Sequence, residues 1–256
     1  GLIGMDLVRL GLERAGTARE AADVIAGLLR RHGQGGVCGY RDRKFAYMNS
    51  FLIMDRTEIV VLETVGRDYA LKSYQDCAAI SNGITLGNDW KKSSLPWGTN
   101  LQMYSDPFMT YFSGSRRRRE QVMDRISAAG GAFCVDSAFE ILRGHRGDRP
   151  FTGLNHDVCM HAAEPLIRRS HTTGSLVAEL DASSGFRIFV TAGSSPCLTP
   201  FKPVSYTHLR AHETVLDLVC RLLLEKKNKT PPTHHTLTTH NSDHTHVNYY
   251  IYIVIK

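Results

Sequence analysis

The sequence predicts an α+β fold in which antiparallel sheets are covered by helices. Three observations predict it. Residues 47–86 hold three or four short runs rich in Val, Ile, Leu, Phe, Tyr and Thr, parted by turn-like residues at Asp55-Arg56-Thr57, Gly66-Arg67-Asp68 and Asn82-Gly83. Within them, Phe51 and Ile53 mark one face, and Glu58 and Glu63 bracket the apolar run Ile59-Val60-Val61-Leu62. That run is short enough for a strand buried on both sides. A sheet covered on both faces needs other layers to cover it, and helical patterns lie before and after this stretch.

Taken in order, residues 4–15 form a helix with Met5, Val8, Leu12 and Ala15 on one side, broken by Gly16. Thr17 and Glu20 then make a capping-box signature, in which the threonine hydroxyl accepts from the Glu20 amide and the glutamate reaches back. The second helix runs to about His32, with Ala21, Val24, Ile25, Leu28 and Leu29 at helical spacing. Arg30, Arg31 and His32 suit its negative end and Gly33 its stop position. Gly33-Gln34-Gly35-Gly36 follows a helix and lacks the Gly-Lys-Ser/Thr ending of a phosphate loop, so it reads as a connection. Residues 88–115, with Trp90 and Trp97, read as a loop with one short strand. Ser115 caps a helix over 116–129 that ends at Gly130-Gly131. Ser137 and Glu140 give a second capping box, leading a short helix to about Arg143. A charged, mobile loop is expected over 144–150. Residues 171–180 read as a strand, Ser183-Ser184-Gly185 as a hairpin turn, 186–191 as the return strand and 192–203 as a Pro-rich loop.

With 256 residues, 42% of them hydrophobic, the chain is long enough to bury a core. The net charge of +6 comes in part from Arg116, Arg117, Arg118 and Arg119. No basic stripe with interleaved aromatics accompanies it, which argues against a nucleic-acid partner. Cysteines 38, 77, 134, 159, 197 and 220 form no C-x-x-C pair. They read as free thiols in a reducing, cytoplasmic setting. No secretory signal or membrane span is visible. The first residue is Gly and the chain opens in a helix, so the true N-terminus is expected upstream.

Several of these motifs carry a resemblance. D-R-T-E at 55–58, V-L-E-T at 61–64, the Gly66-Arg67 turn and I-S-N at 80–82 are similar to the secernin family. More distantly they resemble the cysteine dipeptidases and the bile-salt and penicillin V acylases. G-M-D-L-V-R-L at 4–10 with G-Q-G-G at 33–36, and Cys159-Met160-His161, extend the likeness. T-T-G-S-L-V at 172–177, S-S-P-C at 194–197 and F-K-P at 201–203 form a second block, so the resemblance covers most of residues 1–203. It implies an N-terminal-nucleophile hydrolase fold, an αββα sandwich of antiparallel sheets, here incomplete at the N-terminus. It also implies dipeptidase-type or amide hydrolysis by an N-terminal Cys whose own α-amino group is the base. Cys38 follows a helical hairpin and does not fit that position. The nucleophile is therefore expected upstream, and the chain as it stands is expected to be inactive. A second expectation from the same resemblance is a non-catalytic cytosolic regulator of secretion on the same scaffold.

The resemblance singles out Asn82 as a catalytic residue, because in the relatives an Asn there holds substrate and the tetrahedral oxyanion. By itself Asn82-Gly83 reads as a turn dipeptide. One of the four consecutive arginines would match an active-site arginine of the acylases; the plain alternative is a solvated helix face. Asp55 and Arg56 are expected to shape a turn. Ile59-Val60 stands where relatives often have Ala-Trp, and Met48 where His is common, which bears on substrate detail. His156, Cys159 and His161 form H-x-x-C-x-H, but no second Cys/His pair lies nearby at ligand spacing. They are read as buried structural residues, with no metal and no cofactor expected. Cys159 paired with His171 as a papain-like nucleophile matches no local signature.

Near Val204 the character changes. Residues 206–227 resemble a translation of sequencing-adaptor DNA, and 215–224 are helix-friendly. Low-complexity sequence follows, and seven of the twelve histidines lie beyond Val204. The expected organisation is a hydrolase-like domain fragment over 1–203 and a non-native or disordered tail over 204–256. The competing reading of that tail is metal binding.

Overall fold

The computed structural model describes residues 1–35, 48–147, 157–161, 171–181, 185–191, 193–204 and 252–254. Gly36, Cys38, Tyr47, His156, Ser183, Ser184, Cys220, the helix-friendly run 215–224 and the histidine-rich tail lie outside the described residues. No helix among the described residues is long and apolar enough to cross a membrane.

The chain opens with a hairpin of α1 (Gly4–Arg14) and α2 (Ala18–His32). A meander follows: β1 (Ser50–Met54), β2 (Ile59–Val65) and β3 (Asp68–Tyr74), antiparallel in sequence order. The short β4 (Lys92–Ser93) pairs with β3 on one edge. Three helices come next: α3 (Pro107–Ser113), α4 (Ser115–Ala129) and α5 (Val135–Leu142). A second antiparallel sheet contains β5 (Leu176–Asp181), β6 (Gly185–Thr191) and β7 (Phe201–Val204). Within the tail, β8 (Tyr252–Val254) runs parallel to β1, giving the first sheet the order β4-β3-β2-β1-β8. The architecture is α+β, with two open sheets and flanking helices.

The alternation of a strand explains how the first sheet is dry on both sides. Phe51, Ile53, Val60, Leu62, Tyr69 and Leu71 face the α1–α2 hairpin. Leu52, Val61 and Ala70 face the other way, onto Leu86 and Leu101. The helical layer can sit close because its inner surface is small. Ala18, Ala21, Ala22 and Ala26 of α2 are buried beside Ile25 and Leu29. On α1 the expected stripe is displaced. Met5 and Leu12 are exposed, whereas Gly4, Leu7 and Gly11 are buried. A Cβ at Gly11 would lie 3.2 Å from Ile25, and one at Gly4 would overlap the buried Asn49 amide. Glycine permits that approach, and hydrophobic periodicity does not register it.

The turn 55–58 locks α2 onto the sheet. Asp55 Oδ1 accepts from the Thr57 amide (2.7 Å), the Thr57 hydroxyl (2.7 Å) and the Glu58 amide (3.0 Å). Its Oδ2 accepts from the Ala18 amide at the start of α2 (2.8 Å). Glu58 receives Arg19 Nε (3.3 Å) and Nη2 (2.6 Å), and the same Nη2 reaches Ser73 (2.7 Å). At the far end of α2, Arg67 donates to the carbonyls of Arg30 and Arg31. Both helix ends are thus matched by charge of the favourable sign.

Several local expectations differ from the structure. Residues 79–86 form no strand apart from a bridge between Ser81 and Gly83, because the outer edge of β3 is already taken by β4. The loop expected over 88–115 contains α3, started by Asp106, whose side chain accepts from the Phe108 amide (2.9 Å), with Pro107 in the first turn. Ser115 is the first residue of α4 rather than its cap, which is Gly114 in the left-handed region (φ 64°). The capping box of α5 is Cys134 with Ser137, three residues earlier than expected, since the Ser137 hydroxyl accepts from the Cys134 amide (3.3 Å). The Pro-rich stretch ends in β7, where Pro203 pairs with Phe189 on an edge strand that tolerates a missing donor.

For Asp55, burial opposes ionisation, but the Ala18, Thr57 and Glu58 donors win and hold its pKa near 2. A carboxylate depressed on folding stabilises the protein above the unfolded value and loses that contribution as pH falls toward the folded one. Stability measured by urea unfolding should therefore drop between about pH 4 and pH 2, and Asp55→Asn should flatten that drop. At neutral pH the same substitution should cost about 1–2 kcal/mol.

Candidate functional site

Glu63 sits on β2, the strand between β1 and β3, on the sheet face opposite the helices, and is 0% exposed. Its carboxylate accepts from the Thr85 amide (2.8 Å), the Thr85 hydroxyl (2.7 Å) and the Leu86 amide (2.8 Å). Burial pushes its pKa up, while these donors and the charge of Arg119 act in the opposite sense. The amides of Thr85 and Leu86 are thus held by a side chain rather than by a neighbouring strand. Upstream of Thr85 the chain makes a three-residue turn, Gly83 N to Ser81 O at 2.8 Å, with Asn82 exposed at its tip. Gly83 is needed there, because a Cβ would lie 2.9 Å from Ser115 Oγ at the start of α4.

Helix α4 meets this turn with two of its four consecutive arginines. Arg118 is 2% exposed. Its Nη2 donates to Asn82 Oδ1 (2.8 Å) and more weakly to Ser81 Oγ (3.4 Å), and its Nη1 donates to the Ser113 carbonyl. Arg119 Nε donates to the Ala79 carbonyl (2.7 Å). Arg116 and Arg117 are exposed. The solvated-face reading of the run therefore holds for two residues and not for the other two, as helical spacing dictates: Ser115, Arg118 and Arg119 share one side.

A cavity of about 560 Å³ opens beside the turn. Ser81, Gly83, Thr85 and Tyr111 line it, with Arg116, Arg117 and Arg119. No acidic side chain and no cysteine is among the described residues that line it. The first turn of α4 contributes Gly114 to Arg117 to its wall, so the positive end of a fifteen-residue helix adds to the guanidinium charge. The arrangement favours an anionic group.

A second cluster lies in the α5–β7 half. His145, Cys159, His161 and Cys197 bring their donor atoms within 4.8 Å of one another. His161 Nε2 is 3.0 Å from His145 Nε2, 3.5 Å from Cys159 Sγ and 3.4 Å from Cys197 Sγ. Its Nδ1 lies 3.4 Å from Ser195 Oγ. Cys159 and His161 are buried. Burial pushes the Cys159 thiol up to about 12, and the neighbouring Cys197 side chain adds to the rise against its own backbone N–H. A thiol held protonated is a poor nucleophile, and the imidazole beside it is that of His161, not of His171. A small cavity lined by Ser81, Arg118, Val158 and Thr172 adjoins both regions.

Sequence reasoning found Asn82 and the arginine run, and the structure joins them through Arg118. It found Cys159 and His161 but missed His145 and Cys197, which come from 16 residues before His161 and 36 residues after it. No sequence window of metal-site width contains all four. Glu63 was seen only as the end of an apolar run. No protein-family model matches the chain, and no solved structure matches it.

Glu63→Gln puts an amide N–H₂ against converging donors, because glutamine has one acceptor oxygen where glutamate has two. It should lower stability by about 1–3 kcal/mol. Amide hydrogen exchange should show the loss concentrated at residues 81–86, with α1 and α2 much less affected.

Proposed function

We propose that the cavity beside Asn82 is the substrate site of an amide hydrolase. The chain is then a fragment of a secernin-like protein of dipeptidase type, its two sheets and helices belonging to an αββα N-terminal-nucleophile fold. The observation that carries the reading is the Arg118–Asn82 hydrogen bond in the turn whose flanking residues, Ser81 and Gly83, line the cationic cavity. The guanidinium takes the amide oxygen of Asn82 and so fixes which end of that amide is presented. Its N–H₂ end is the one suited to a substrate carbonyl oxygen, where negative charge develops on attack.

In this reading Asn82 binds the carbonyl oxygen, Arg118 positions Asn82, and Arg116, Arg117 and Arg119 hold a carboxylate. A short peptide with a free C-terminal carboxylate satisfies both ends of the site. The nucleophile is the processed N-terminal cysteine that the family resemblance implies, acting with its own amino group as base.

Titration of the chain with dipeptides, followed by heteronuclear NMR, tests the site without requiring turnover. Saturable shifts are expected for residues 81–85 and for the first turn of α4. Asn82→Ala and Arg116→Ala should each weaken binding about tenfold, the loss of one charge-assisted hydrogen bond. A dipeptide amide that binds as well as its free acid removes the carboxylate assignment. No binding of either compound removes the hydrolase reading in favour of a non-catalytic scaffold.

A further inference from the structure

We propose that His145, Cys159, His161 and Cys197 form a structural zinc site. The donor set is the S₂N₂ combination that selects Zn²⁺ among the common divalent ions. The geometry agrees with it. A tetrahedron with ordinary Zn–S and Zn–N lengths has edges of about 3.3 Å between nitrogens and about 3.5 Å between nitrogen and sulfur. The three distances from His161 Nε2 are 3.0, 3.5 and 3.4 Å, and the remaining pairs stay within 4.8 Å. Four lone-pair donors therefore converge on one point in a largely buried place.

The surroundings are built around the same point. Cys159 N donates to the Gly144 carbonyl (3.1 Å), Thr172 N to Met160 O (2.9 Å) and Ser195 N to Thr172 O (2.9 Å). The three segments that carry the ligands are thus held in a common backbone frame. Ser195 is the one non-glycine residue at positive φ (61°) among the described residues, and this bend begins the turn that presents Cys197. Backbone held in a sparsely populated region needs surrounding contacts to keep it there. Ser195 Oγ beside His161 Nδ1 also leaves Nε2 as the nitrogen facing the cluster. A metal-bound histidine ordinarily has such a partner on its second nitrogen.

Four protein ligands close the coordination sphere, so the ion's role is to hold the fold and not to activate water. Binding releases the two thiol protons to solvent. Two thiolates and one Zn²⁺ sum to zero charge, which suits burial. The ion staples the 144–147 turn, the 157–161 segment and the 193–199 turn, three stretches without regular secondary structure.

The test uses the full chain without an affinity tag, dialysed against a mild chelator to strip metal from the histidine-rich tail. Zinc is then measured by elemental mass spectrometry. About one ion per chain should remain. Cys159→Ser and Cys197→Ser should each lower that content about tenfold or more, and Cys134→Ser should leave it unchanged. Retention of full zinc content by both cysteine variants would overturn the proposal, as would a Cys159–Cys197 disulfide found by non-reducing peptide mapping. Cobalt substitution of the wild-type chain gives an answer that does not depend on the variants folding. A thiolate charge-transfer band with tetrahedral visible bands supports the site, and a cobalt spectrum without sulfur character refutes it.

Discussion

The buried carboxylate of Glu63 is the constraint on which the described candidate site depends. It stands on the strand between β1 and β3 with no exposed surface, yet the groups it serves belong to the irregular segment above the sheet. An acceptor with two oxygens satisfies two backbone N–H groups and a hydroxyl together. Without it those donors would be buried beside apolar side chains, at a cost comparable to several ordinary hydrogen bonds. Because Thr85 and Leu86 are fixed to the core, the turn that carries Asn82 is fixed as well. The burial of Arg118 follows from the same arrangement. A guanidinium can be removed from water when its neighbours are carbonyl and amide oxygens in fixed places.

The two faces of the first sheet reach dryness by different means. On one face, alanines and glycines let two helices lie close, and polar contacts at the ends of α2 set its position. Asp55 and Glu58 hold the helix start and Arg67 the helix end. On the other face, among the described residues, no α-helix packs over Val61 and Ala70. Leu86, Trp90 and Leu95 cover them from loops, and Leu101 from a single 3-10 turn over Leu101–Tyr104. A loop layer has more backbone groups to satisfy than a helix, and side chains such as Glu63 and Ser93 accept from its amides at Leu86 and Leu95.

The strand meander, its two dry faces and the α1–α2 hairpin were legible in the sequence because each rests on local periodicity. The buried stripe of α1 was not, since Gly4 and Gly11 contribute by being small. Helix α3 was announced by Asp106-Pro107 but masked by the polar, aromatic-rich run around it. Asn82 was legible through the motif it sits in, and Arg118 and Arg119 could be separated from Arg116 and Arg117 only by helical phase relative to Ser115. The Cys/His cluster was hidden by distance along the chain. His145 and Cys197 meet Cys159 through hydrogen bonds among three loops, and no periodicity encodes that meeting.

The placement of the two tryptophans has a practical consequence. The sequence contains only Trp90 and Trp97, and they form an edge-to-face pair with centroids 5.6 Å apart. Trp90 is tied to the Thr99 carbonyl and packs over the loop-covered face, while Trp97 is 92% exposed. Intrinsic fluorescence thus observes one small neighbourhood of the molecule. A denaturation curve recorded by emission will follow the peeling of that loop layer and will be nearly blind to the half that contains α5 and the second sheet. Agreement between emission and far-ultraviolet dichroism would then be a sensitive sign that the two halves unfold as one.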